Sequence, residues 1–178
     1  MKKTFIVAFG GIICALSVVL MFLSDLLPVG VYAFPIFAGV LLSAVVIESG
    51  YVWAFSVYGC VALLSLFLVQ NKEAVLYYTA FFGFYPVLKG IIEKIKLKPL
   101  QFIIKYLIFN VCIIGAFYIG IYVLSIPKES FNILGVYLPY VFLIIGNAAF
   151  IVYDYMVSVL ITKYVLKWRK YITKKPNL

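Results

Sequence analysis

A few ionisable and amide side chains interrupt an otherwise apolar sequence, and any chemistry has to begin with them. Asn147 and Asp154 stand seven apart, two helical turns, and so share one face of a helix. Tyr85, Lys89 and Glu93 follow one another at i, i+4 and i+8, beside Pro86, which removes a donor from the backbone ladder. Glu48 closes another apolar stretch. A lysine buried near carboxylates acts most simply as an ion-pair clamp between helices, here with Glu48, Lys89 and Asp154 as its members. A sharper alternative makes the same place the point where a partner chain or a conformational change acts. A proton relay would need a longer series of titratable groups, and the chain has no histidine.

The lack of histidine also removes His-dependent triads and most zinc sites. Cys14, Cys60 and Cys112 are single and far apart, and read as small buried hydrophobes rather than ligands. No metal, cofactor or catalytic residue is expected, and the chain is not expected to be an enzyme. It carries no Gly-x-x-x-x-Gly-Lys-Ser/Thr loop to cradle ATP and no Gly-x-Ser-x-Gly elbow. A selectivity-filter sequence, an arginine-studded voltage-sensing span and an inverted repeat are also missing.

A second group of polar residues is arranged differently. Asp25, Tyr32 and Phe34 surround one joint between apolar stretches. Asn71, Lys72, Glu73, Tyr77 and Tyr78 surround another, and Asn132, Tyr137 and Tyr140 a third, with Asn147 deeper. For any one tyrosine the simplest role is an interfacial aromatic belt. Polar groups converging on an aromatic-lined cavity are also how ligand pockets are built. Asp25, Tyr32, Asn71, Tyr77, Tyr78, Tyr137, Tyr140 and Asn147 are therefore the candidate pocket residues.

The elements that must position these groups are transmembrane helices. Of 178 residues, 66% are hydrophobic and 12% charged, with a mean hydropathy of +1.16, too little polar surface to cover a core in water. The apolar runs approach the ~20 residues a helix needs to cross ~30 Å of hydrocarbon, and lack the alternation of barrel strands. Six runs are expected to span, at residues 5–24, 29–47, 51–69, 74–92, 100–124 and 138–162. Residues 163–178 form a basic tail. The expected fold is an all-α integral membrane protein, one compact bundle of six helices.

Charge sets its orientation. With the N-terminus inside, thirteen of the fifteen Lys and Arg residues fall on the cytoplasmic side, leaving only Lys72 and Lys128 outside. That is the positive-inside pattern, and both termini are expected in the cytoplasm. Glu48, Lys89 and Asp154 then lie in the inner third of the bilayer. The net charge of +9 reads as an orientation signal and an attraction to anionic lipid, not as a nucleic-acid footprint. The first stretch is long for a signal peptide and no small-x-small cleavage site follows it, so it is expected to remain as a span.

On that first span Ala8, Gly11 and Ala15 form a small-residue face, Gly11 and Ala15 in small-xxx-small spacing, which lets helix backbones approach closely in lipid. A small, basic six-span protein with such a face resembles the substrate-binding S components of energy-coupling factor transporters, in particular a clostridial-type branch. The stretches carrying the resemblance are Leu26-Leu27-Pro28-Val29-Gly30, Val46-Ile47-Glu48-Ser49-Gly50 and Phe81 through Glu93. It implies a bacterial cytoplasmic-membrane protein that binds a vitamin or related micronutrient on the outer side. It further implies a separate transmembrane coupling subunit energised by two ATPase subunits. The family's contact motif on span one is Ala-x-x-x-Ala, where this chain reads Gly11-Ile12-Ile13-Cys14-Ala15. The main alternative is a membrane scaffold of the rod-shape MreD type, using the basic inner face to hold partners. A third is a small enzyme acting on lipid head groups through Asp154 and Lys89.

Overall fold

The computed structural model of the chain describes residues 3–27, 30–125 and 139–169, and among these every regular element is helical. Among the described residues, six helical segments are long and apolar enough to cross a membrane. α1 covers Lys3–Leu23, α2 Gly30–Ser49 and α3 Tyr51–Leu68. The fourth span is composite: α4 at Lys72–Tyr77, a π-helical turn at Tyr78–Phe82, then α5 at Tyr85–Ile92. α6 covers Lys98–Tyr122, and α7 covers Pro139–Lys163 before a second π-helical turn at Tyr164–Trp168. Of the expected pocket set, Tyr137 lies outside the described residues, as do Asn132, Lys128 and the tail beyond Arg169; Tyr140 is described in backbone only.

Local chemistry explains the joints. Gly50 alone separates α2 from α3 and sits at φ +87°, a conformation that glycine adopts without strain. Asn71 caps α4 by accepting the Ala74 N–H at 3.1 Å. Lys72 donates to the Leu66 and Val69 carbonyls at the end of α3, at 2.8 and 2.9 Å. Asp25 accepts from the Gln70 and Asn71 N–H groups at 3.1 and 2.8 Å, tying the α1–α2 joint to the α3–α4 joint. Pro86 sits in the first turn of α5, where its missing N–H costs nothing, so it starts a helix rather than interrupting one.

The composite fourth span is the centre of the molecule. Within its apolar window 61% of residues are buried, against 39% or less in the other five spans. On one side α1, α2 and α3 close around Met21, Leu42, Val61 and Tyr78. On the other, α6 and α7 pack an aromatic core of Phe81, Tyr85, Phe109, Phe150 and Tyr153. Phe109 and Phe150 stack at 4.6 Å, and Phe81 meets both edge-on at 5.1 and 5.7 Å, the geometry ring quadrupoles favour. α2 reaches the π-helical turn so closely that a Cβ on Gly39 would lie 2.0 Å from the Phe82 carbonyl oxygen. Only glycine fits there.

Candidate functional site

Four charged side chains from three spans meet where span four ends and α6 begins. Three exposed lysines, Lys94, Lys96 and Lys98, mark this as the basic end of the bundle. Lys89, fully buried on α5, pairs with Asp154 of α7 and also reaches Glu93, one turn further on, at 2.8 Å. Lys105, buried on α6, reaches Glu93 at 2.9 Å and Asp154 at 3.1 Å. The Tyr85 hydroxyl donates to the same Asp154 carboxylate at 2.5 Å, and Lys89 also donates to the Asp154 carbonyl at 3.2 Å. Two ammonium groups and two carboxylates alternate, so the cluster is formally neutral. Charges this deep in a bundle are tolerated because each has partners of opposite sign.

Each member is positioned by ordinary helix geometry. Tyr85, Lys89 and Glu93 occupy one stripe of span four at successive turns. Asp154 faces them because the Phe150 and Tyr153 rings pack against Phe81 and Tyr85, which fixes the rotation of α7. Glu93 lies just past the end of span four. Burial alone would raise its carboxyl, but hydrogen bonds from Lys89 and Lys105 outweigh this and hold it below its ordinary value of 4.5. It is therefore ionised throughout the neutral range, with its pairs intact.

The structure joins Lys89 to Asp154 but pairs Glu48 elsewhere. Glu48 lies 3.0 Å from the Arg169 Nε, with the Tyr164 hydroxyl at 3.4 Å. The acid that joins Lys89 and Asp154 is instead Glu93, on Lys89's own helix stripe, and Lys105 completes the set. Glu48 ends α2 at a similar depth but faces the end of α7, so depth alone misassigned its partner.

The pocket candidates divide in the same way. Asp25 and Asn71 are engaged by the backbone bonds described above. Tyr32 and Tyr77 approach with ring centroids 5.1 Å apart, at the end opposite the charge cluster, with Tyr77 and Tyr78 both buried. Asn147 forms a reciprocal amide pair with Asn110 of α6, at 2.9 and 3.0 Å, which pins α6 to α7. Lys105, Asn110 and Arg169 are the partners that sequence reasoning missed. A lysine and an amide five residues apart inside one apolar run were the available signal for the first two.

On α1 the small residues Ala8, Gly11 and Ala15 all face outward, away from the bundle. A Cβ on Gly11 would meet nothing within 4 Å, whereas one on the neighbouring Gly10 would lie 3.3 Å from Val57 of α3. Gly10 serves internal packing and Gly11 does not. Comparison with protein-family models, with curated proteins and with solved structures finds no match to this chain.

Proposed function

We propose that this chain is a ligand-capturing membrane subunit of the energy-coupling factor type, which takes up a small micronutrient and depends on another membrane chain for energy. The observation that carries this reading is the outward, unfilled small-residue stripe of Ala8, Gly11 and Ala15 on α1. Lipid tails do not drive helices together, so close association in a bilayer relies on backbones meeting over small side chains. The stripe supplies that surface on the outside of a bundle whose own packing uses the other face of α1. The coupling subunit would dock there, with two ATPases bound to it in turn. Ligand would enter at the end holding Tyr32 and Tyr77, and the basic end would face the cytoplasm, beside anionic lipid.

Purification of the tagged chain from its native membranes tests the reading. The expected result is a complex containing a coupling subunit and ATPases, with a stoichiometric small molecule detected by mass spectrometry. Gly11→Leu with Ala15→Leu should abolish the complex while leaving the unfolding midpoint of the isolated chain unchanged, since both positions are exposed. A folded wild-type chain that repeatedly lacks both ligand and ATPases would favour the scaffold. A complex that survives the double substitution would move the interface off α1.

A further inference from the structure

One face of α6 by itself lines a shallow, largely open and mostly apolar groove of about 500 Å³. Phe102, Leu107, Val111 and Ile114 line its lipid-facing side, and Tyr106 and Asn110 mark its border at the seam with α7. The twelve-residue rise from Phe102 to Ile114 corresponds to about 18 Å of helix. One leaflet of the hydrocarbon core is about 15 Å deep. The groove thus runs from the basic end to near the bilayer midplane, the depth of one acyl chain.

Charge at its mouth selects the occupant. Lys98 lies one turn before Phe102 on the same row of the helix, and Lys96 precedes it in the connection from span four. Both are exposed, and among the described residues neither belongs to the ion pairs at this end, which join Lys89 and Lys105 to Glu93 and Asp154, and Arg169 to Glu48. The Glu93 and Asp154 carboxylates are already shared between Lys89 and Lys105. Lys94 is turned aside, its ammonium 4.5 Å above the Tyr51 ring. α6 also begins with no acidic residue in its first turn and no side-chain cap from Leu97, so its positive helix end reinforces the lysines.

We propose that this groove is a binding site for an anionic phospholipid, its acyl chain lying along α6 and its phosphate held by Lys96 and Lys98. The site is independent of the transport reading, because it uses neither α1 nor the Tyr32–Tyr77 end. A lipid held there covers the outer face of α6 and braces the start of the helix that supplies Lys105 to the charge cluster.

A single-tryptophan reporter tests the site. In a Trp53→Phe, Trp168→Phe background, Leu107→Trp places the fluorophore in the groove, and Ile12→Trp places one on exposed α1 as a control. Each protein is reconstituted in phosphatidylcholine vesicles containing either dibrominated phosphatidylglycerol or dibrominated phosphatidylcholine at equal mole fraction. The groove reporter should be quenched preferentially by the phosphatidylglycerol, the control equally by both. Lys96→Gln and Lys98→Gln should each reduce the preference about fivefold. As a second readout, native mass spectrometry of the unaltered chain should show phosphatidylglycerol adducts that the Lys96→Gln, Lys98→Gln double variant loses. Equal quenching by both head groups overturns the proposal, as does shielding from both, which would mean that a protein helix fills the groove.

Discussion

At the scale of single residues, the effect of losing Lys89 depends on the charges left behind. In Lys89→Met, Asp154 keeps Lys105 and Tyr85, but two carboxylates then share one ammonium group. Removing one partner of a buried pair costs about 3–5 kcal/mol, and the surviving Lys105 places this case near the lower figure, about 3 kcal/mol. Adding Asp154→Asn restores neutrality, so the double variant should recover more than about 1 kcal/mol of the summed single costs. Unfolding of the purified variants in detergent measures both quantities, and strict additivity would show that Lys89 and Asp154 are not partners. That pair was legible in the sequence because a charge in an apolar run is conspicuous and its depth can be counted. The direction a side chain faces cannot be counted in the same way. Depth alone places Glu48 beside Lys89, whereas it pairs with Arg169, and in the sequence Lys105 looks like one more orientation charge.

At the scale of elements, α2 meets the π-helical turn more closely at Gly39 than the chain is met at any other described glycine. Gly39→Ala drives a methyl group against the Phe82 carbonyl, a backbone atom that cannot rotate away. We expect a loss of about 2 kcal/mol from overpacking. Gly11→Ala, with open space around it, should stay within about 0.5 kcal/mol of the parent. Thermal unfolding of the two variants side by side is the check, and equal midpoints would refute the close approach. The six spans could be read from the sequence because hydrocarbon leaves the backbone no alternative to long helices. The division of span four could not. A π-helical turn is set by what packs against it, here α2 through Gly39, and Pro86 marked only where the next helix starts. The Asn110–Asn147 pair was hidden for a similar reason, since an amide within a span looks alike whether it meets a ligand or another amide.

At the scale of the whole molecule, an even number of spans and the clustering of cations predict that both chain ends lie on the side of Lys94, Lys96 and Lys98. Reporter fusions active only in the cytoplasm, placed at each end and at the Gln70–Asn71 joint, should be active at both ends and silent at the joint. Activity at the joint would invert the topology. Span four carries a further consequence, one of timing during synthesis. It is the least apolar of the six spans, and among the described residues its lysine alone is buried to zero exposure. When this segment leaves the ribosome, only Glu93 is close behind it in the chain. Lys105 follows 16 residues after Lys89, and Asp154 follows 65 residues after it. A lysine at depth in a helix opposes insertion by a few kcal/mol, which the single carboxylate of Glu93 offsets only in part. Full burial of span four is therefore expected to follow the synthesis of α6 and α7, which carry Lys105 and Asp154. A helix made well after span four thus supplies the carboxylate that pairs its buried lysine.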